Sequence, residues 1–318
     1  MLDLRRLRLL RELHARGTIA AVADALQYTP SAVSQQLAVL EREAGRPLVE
    51  RAGRGVRLTD AGVLLAGHAE ALLERAERAE AELAAGAGRV AGRARVASFQ
   101  STALRLAIPA IAGLVAQAPD LRCELVEAEP EQSLPALALG DADLVLADEW
   151  QHQPRARPPG VQREDLLQDP VALILPSGHP LARRHRRAVP LAALAGAAWV
   201  TGHREAGWDE VTTRACRELG GFDPDIRHRT NDSTISLALI AAGQAVTLLP
   251  RLVGLEDRPG IAVRGIAEGT LDRTIFMATR AADDQRPAIR ALRAAVREQA
   301  RGVDGHTADR SGRRSSAG

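Results

Sequence analysis

Two sets of side chains in this sequence could do chemistry by binding. The first is Ser31, Ser34 and Gln35, followed by Arg51, Arg54 and Arg57 around Gly53 and Gly55. Short uncharged hydrogen-bonding groups near the start of a helix match the donors and acceptors on base edges in a major groove. Arginines at the tip of a small hairpin suit phosphates or a minor groove. The second set lies at the ends of apolar runs. Ser98, Gln100, Ser101 and Thr102 follow RARVAS and open a helical segment, while Thr201, Gly202 and His203 follow AWV. Asn231, Asp232 and Thr247 join them by the same logic, and Asp148 and Glu149 follow ADLVLA. Hydroxyls and free N–H groups at a helix start can hold an anion without a cation. Two adjacent acids could instead meet an amino group, or simply form a solvated hinge loop. No Walker loop, GxSxG, HExxH or GxGxxG after a strand is present, and the eight histidines show no metal-ligand spacing. No cofactor or metal is expected.

The elements that must position the first set are legible locally. Thr18 can cap a helix in which Ile19, Val22, Ala23 and Leu26 recur on one face. Gln27 and Tyr28 interrupt that pattern. Thr29 followed by Pro30 is a second start signal, and Val33, Leu37, Leu40 and Ala44 form the next buried stripe. Leu48/Val49 and Val56/Leu58 can pair as the strands of a wing carrying the arginines. Before them, MLDLRRLRLLRELHARG has an amphipathic stripe at Leu2, Leu7, Leu10 and Leu13 or Ala15. An ordinary helical hairpin with a polar face is the plain alternative.

From Thr59 to about Gly86 the chain reads as one long helix. Leu65, Leu72 and Ala79 repeat every seven residues, as do Ala69, Ala76 and Leu83. This narrow seam, with Leu65, Leu72 and Leu83 as its large residues, suits a partner helix. Packing on the chain's own core is the other reading. Gly86, Gly88 and Gly92 close the helix and supply a hinge. Beyond Arg93 the strand candidates are RARVAS, RCELVEA, ADLVLA, VALILP, AWV, AVTLLP and RTIFMAT, alternating with helical stretches. Such alternation predicts parallel sheets covered by helices, in two small α/β lobes.

Composition sets further limits. All 42 basic residues are arginine, so arginine clusters need discounting. Residues 1–58 hold 10 Arg against 6 acids, a charge of +4, and the remainder holds 32 against 34, a charge of −2. The N-terminal segment is therefore the partner for a polyanion. The first residues lack a long apolar run and a cleavage site, and no segment reaches membrane-span length, so a cytoplasmic protein is expected. Cys123 and Cys216 are expected to be free thiols rather than a redox pair. The Arg183–Arg187 run reads as a solvated loop, and residues 302–318 as a disordered tail.

The order of helix, helix–turn–helix, wing and long helix resembles the N-terminal part of the LysR-type transcriptional regulators. The resemblance rests on Ala23, Leu26, SAVSQQLAVLE from Ser31 to Glu41, Gly45, Pro47-Leu48, Arg51, Arg57-Leu58-Thr59 and Gly62. Val49 stands where the family usually has Phe. The C-terminal portion is similar to the family's effector domain at Pro109, Gly140, Asp143, PSGHPLA from Pro176, Trp199 and AAGQAVTLLP from Ala241. The resemblance implies an α/β architecture: an N-terminal winged helix-turn-helix (1–58), a long linker helix (59–88) and a two-lobed, periplasmic-binding-protein-like (type 2) effector domain (89–301). Lobe I is expected over about 93–165 and 268–301, and lobe II over about 166–267. It further implies double-stranded DNA, a small-molecule effector (a carboxylate or amino acid) and a second copy as partners, in a homodimer or homotetramer. RNA polymerase is a further candidate partner. A non-enzymatic, ligand-responsive transcription regulator is the expected function. The alternative is a solute-binding or enzymatic α/β protein whose N-terminal helices are only a dimerisation arm.

Overall fold

A computed structural model describes residues 1–318 except 27, 53–54, 87–89, 151–152, 205, 256–257 and 316–318; side chains at 74, 77–78, 80–86 and 304–315 are also outside the description. The chain divides into two units, Met1–Arg89 with Ala282–Pro287, and Val90–Ala281 with Ala288–Gly318.

In the first unit, α1 (Leu4–Arg16) starts at Asp3, whose carboxylate accepts from the Arg5 and Arg6 amides, and stops at Gly17 with φ 76°. That positive φ is accessible to glycine without cost. Helices α2 (Ile19–Leu26) and α3 (Pro30–Ala44) follow, then the hairpin β1 (Val49–Ala52) and β2 (Gly55–Leu58), then α4 (Asp60–Gly86). Val49 pairs Leu58 and Ala52 pairs Gly55 in an antiparallel register. The core joins Leu7, Leu9, Leu10 and Leu13 to Val22, Val33, Leu37, Leu40 and Leu48, with Ala66 and Ala69 of α4. Leu2 is exposed instead, because it precedes the helix, and Leu9 takes a core position. Glu41 at the end of α3 accepts from the Leu48 and Val49 amides (2.9 and 3.0 Å) and so fixes the wing's root. Thr59 caps α4 by accepting from the Gly62 amide (3.1 Å).

The second unit begins with β3 (Gly92–Ser98). One helical run over 100–117 comprises α5 (Gln100–Thr102), a π-helical stretch (Ala103–Ala107) and α6 (Ile108–Gln117). Then come β4 (Leu121–Glu127), α7 (Pro130–Ala138), β5 (Leu144–Trp150), β6 (Val161–Pro176), α8 (Pro180–Arg184), β7 (Ala188–Val189) and β8 (Ala198–Thr201). The chain finishes with α9 (Gly207–Glu218), β9 (Asp225–Arg229), α10 (Ser233–Ala241), β10 (Thr247–Pro250), β11 (Ile261–Ile266), β12 (Asp272–Arg280) and α11 (Pro287–Ser315). The main sheet runs β4-β3-β5-β12-β6-β11-β7, with β10 also on β6, and β8 pairs β9 apart from it. Only part of it is parallel. β3 is parallel to β4 and β5, whereas β12 is antiparallel to β5 and β6, and β10 and β11 are antiparallel to β6.

Strand β6 corrects the sequence reading most. Only VALILP was legible as strand, yet β6 starts ten residues earlier. Its first part pairs β12 from Val161 to Pro170 and its last part pairs β10 and β11. The expected lobe boundary therefore falls inside one strand shared by both lobes. The charged start of β6 hid the alternation: Glu164 is paired with Arg293 and Arg297 of α11 (3.2 and 2.6 Å), so its charge faces a helix. One set of core residues, including Val96, Leu106, Leu144, Ile275 and Leu292, fills lobe I. Another, with Leu173, Val189, Trp199, Cys216 and Leu248, fills lobe II.

The expected structureless tail is also corrected, because the backbone of α11 is helical through Ser315. Helix growth is cheap once a nucleus exists, and Ile289, Leu292, Val296 and Ala300 anchor this one.

Candidate nucleic-acid interface and effector cleft

The recognition-helix candidate is α3. Thr29 accepts from the Ala32 amide (3.2 Å), and its hydroxyl shares a 3.0 Å hydrogen bond with that of Ser31. Ser34 donates back to the Pro30 carbonyl (2.9 Å), a bond made within its own helix. Gln35 is exposed, and among the described residues its amide has no partner. Thr18 accepts from the Ala21 amide (3.2 Å), the capping bond that starts α2. On the wing, Arg57 pairs with Glu50 across the hairpin (2.6 Å). Arg51 is exposed and unpaired among the described residues, and Arg54 lies outside them. One of the three arginines thus spends its charge inside the wing.

The seam on α4 is split. Ala69 is fully buried and Leu65 packs partly on the unit's own core. Leu72 is 46% exposed and Leu64 63%. The α1 helix covers one side of α4, which explains why half of the heptad turns inward. The Leu83 side chain lies outside the described residues.

In the second unit a cleft is formed at the ends of β3, β5 and β10 and the start of β12. Its lining includes Gln100, Ser101, Glu129, Asp148, Arg155 and Arg273, with Phe99, Trp150 and Trp208 as aromatic walls. Of the residues expected from sequence, Gln100, Ser101, Asp148 and Asn231 reach it. Four others do not. Ser98 and Thr102 are fully buried and share a 2.7 Å hydrogen bond, while Thr102 also donates to the Phe99 carbonyl (3.0 Å). Thr201 is fully buried and donates to the Trp208 carbonyl (3.3 Å). Thr247 is fully buried and donates to the Val200 carbonyl (2.6 Å). These four hydroxyls hold the cleft's backbone in place, since an apolar interior leaves a hydroxyl no other partner. Gly202 is buried beside Asn231: a Cβ there would lie 3.0 Å from its Oδ1, which accepts from the His203 amide (3.0 Å).

Gln100 ties the start of the 100–117 helix to α10. Its Nε2 donates to Asp232 (2.9 Å) and its Oε1 accepts from the Ser233 amide (2.9 Å). The Gln100 amide, then the Thr234 amide, hold the Asp232 carboxyl below its ordinary range. Behind the cleft, Arg273 is 5% exposed and donates to Asp169 through Nε and Nη2 (2.9 and 2.8 Å), to Asp148 (3.1 Å) and to Ser101 (2.9 Å). Arg155 donates to the other Asp148 oxygen and to Glu131 (both 3.0 Å). Sequence reasoning missed Arg273, Asp169, Arg155, Glu129 and both tryptophans. No local signal marks them, because their partners are distant in the chain.

The helix-turn-helix and the two-lobed sheet have counterparts among known proteins. Residues 4–63 match the bacterial regulatory helix-turn-helix of the lysR family, and residues 87–301 match the LysR substrate binding domain. The chain belongs to the LysR family of transcription regulators. Within the family it is 27% identical over 296 residues to the transcriptional regulator TdfR of Cupriavidus pinatubonensis, covering 92% of this chain and 96% of that one. It is 28% identical over 232 residues to a probable hydrogen peroxide-inducible genes activator of Mycobacterium avium, covering 73% and 72%. Full-length OxyR of Pseudomonas aeruginosa shares the fold, with a TM-score of 0.66 at 22% identity over 93% of this chain and 95% of that one. A DNA-binding regulator with an effector-binding domain is therefore what this LysR protein is, and the solute-binding or enzymatic alternative is not favoured.

Proposed function

We propose that this LysR regulator reads its operator through the exposed face of α3, with Gln35 as the base-reading residue and Arg51 on the phosphate backbone. The observation that carries this is the contrast along α3 and the wing. Ser31, Ser34 and Arg57 are engaged within the protein, whereas Gln35 and Arg51 have no partner among the described residues. A gel-shift series tests it. Gln35→Ala is expected to cost about 1–3 kcal/mol on the operator and little on random DNA. Arg51→Ala should weaken both alike and reduce the salt slope by about one, while Arg57→Ala changes the slope less. Equal slopes for the two arginine variants would remove Arg51 from its assigned role.

The effector is proposed to bind in the cleft, against Gln100, Ser101 and Asn231. Gln100 already joins a lobe I helix start to α10 of lobe II, so a ligand beside it can favour one lobe arrangement. It shifts that equilibrium only by binding one arrangement better than the other. Of the two classes expected from sequence, a carboxylate and an amino acid, the acids of the cleft favour the amino acid. Peroxide sensing is disfavoured by this chain's own thiols. Cys123 lies on β4 and Cys216 in α9, and burial pushes both thiols up, Cys216 to about 12. A neutral thiol is a poor nucleophile at physiological pH. Operator binding by the Cys123→Ser/Cys216→Ser variant should match wild type, with or without peroxide. A peroxide-induced shift in wild type that the variant lacks would reverse this reading.

The assembly is proposed to be a homo-oligomer in the cytoplasm, with RNA polymerase as a further partner and no catalytic activity. Leu64 and Leu72 on α4 are exposed, as are Leu104, Ile108 and Val115 on the 100–117 helix. Among the described residues, no helix is long and apolar enough to cross a membrane. Light scattering at micromolar concentration should give at least twice the protomer mass, and a monomer would end the proposal.

A further inference from the structure

The two arginines of the cleft do not make it a receptor for anions. Asp169 and Asp148 take up Arg273, and Asp148 and Glu131 take up Arg155. Arg273 also lies over the Phe99 and Trp150 rings, 4.9 and 5.5 Å from their centroids. Among the described residues, one charged group of the lining is left over. Glu129 precedes α7 and lines the cleft, but its side chain makes no capping bond to that helix. Among the described residues, its carboxylate has no hydrogen bond or ion pair. Its surroundings are acidic: Asp148 on β5, Glu131 on α7 and Glu127 on β4, with Arg273 on β12 as the counter-charge. Arg155 also lines the cleft but is already shared by two acids. Burial, then Asp148 and Glu131, push the Glu129 carboxyl up to about 7. A half-buried carboxyl in that setting gains most from a cation, and aromatic walls add to the attraction.

We propose that the effector carries a protonated amine or guanidinium group, which pairs with Glu129 against the Trp150 and Trp208 walls of the cleft. This rests on the reading of the cleft as the effector site and names the chemistry of its ligand. The amine N–H donates to the Glu129 carboxylate. The Ser233 hydroxyl donates to Gln100 Oε1 (2.5 Å) and keeps its lone pairs to accept from a further donor of the same group. A ligand presenting only a carboxylate would face Glu129, Glu131 and Asp148 with both described arginines of the lining already paired.

The three tryptophans of the chain make the test direct, because Trp150 and Trp208 line the cleft and Trp199 is buried in the lobe II core. Indole N–H resonances of the full chain are followed while benzylamine, benzoate or benzyl alcohol is added. The three probes are alike in size and differ in charge. Benzylamine is expected to move the Trp150 and Trp208 signals, leave Trp199 in place, and bind about tenfold more tightly than benzoate. Glu129→Gln should remove that preference and leave benzyl alcohol unchanged. Benzylamine affinity should also rise between pH 6 and pH 8, as Glu129 ionises while the amine stays protonated. In Glu129→Gln that rise disappears. Benzoate binding the cleft as tightly as benzylamine would overturn the cationic class and leave the cleft as the effector site. If no probe moves Trp150 or Trp208, the cleft reading fails and takes the proposal with it.

Discussion

Asp169→Ala is expected to destabilise the effector domain by about 3–5 kcal/mol, the range for stripping one partner from a buried ion pair. Asp169 is 2% exposed and Arg273 5%. The Asp169 carboxylate accepts two bonds from Arg273 and one from the Leu252 amide (2.9 Å). Removing it leaves a guanidinium that is 5% exposed with Asp148 and Ser101 as its remaining polar partners among the described residues. It also strands the Leu252 amide, a second cost of about 1–3 kcal/mol if no water reaches it. Because all three tryptophans lie between residues 150 and 208, fluorescence during urea unfolding reports on this unit alone. The double variant Asp169→Leu/Arg273→Met should lie closer to wild type than Asp169→Ala does, since apolar replacement of both partners removes the uncompensated charge. A single-variant loss below about 1 kcal/mol would show that water or a neighbouring acid already serves Arg273.

The same network marks the limit of what could be read in the sequence. The DNA-binding elements were legible because their signals are local: Thr29 and Pro30 start α3, and Val33, Leu37 and Leu40 define its buried face within a few turns. Glu41 could be matched to a family motif, but its bonds to the wing's root appear only in space. In the effector domain, the loop after β3 borders the cleft, but only Gln100 and Ser101 of its polar side chains line it. Position at a strand end does not say which way a side chain turns. Four residues apart, Ser98 and Thr102 meet inside, and Ser101 between them faces the cleft and Arg273. The Thr102 hydroxyl is engaged with Ser98 and the Phe99 carbonyl and does not line the cleft. Arg273 reads in the sequence as an ordinary first residue of RTIFMAT. Its partners at 101, 148 and 169 are joined to it only by the sheet, where Asp169 faces Arg273 across β6 and β12. The first half of β6 was missed for a related reason: Glu164 is neutralised by α11, well over a hundred residues away, and Arg163 by Glu149 of β5 and by Asp165.

Gly62→Ala should disable the DNA-binding unit, against the ordinary helix expectation. An alanine inside a helix is favoured over glycine by about 1 kcal/mol. At position 62 that preference meets a backbone atom. A Cβ there would lie 2.1 Å from the Leu48 carbonyl oxygen, 3.1 Å from the Leu48 carbonyl carbon and 3.2 Å from the Leu58 Cβ. The Leu48 carbonyl cannot simply swing away. It accepts from the Thr59 amide (3.0 Å), Thr59 donates to the Pro47 carbonyl (3.0 Å), and Glu41 holds the Leu48 amide (2.9 Å). Relief requires α4 and the wing's root to separate, which uncovers Leu48 and carries Arg51 off its line. Forced overpacking of this kind costs about 1–3 kcal/mol or more, so the clash outweighs the propensity gain. Operator affinity is expected to fall roughly tenfold or more as the wing shifts, because each 1.4 kcal/mol is a factor of ten. Gly67→Ala supplies the control within the same helix. Its Cβ would meet nothing within 4 Å, so it should stabilise the unit by about 0.5–1 kcal/mol and leave DNA binding unchanged. Scanning calorimetry and fluorescence anisotropy on labelled operator separate the two. Should Gly62→Ala melt as late as Gly67→Ala and bind as tightly, the close approach of α4 to Leu48 does not hold the wing in place.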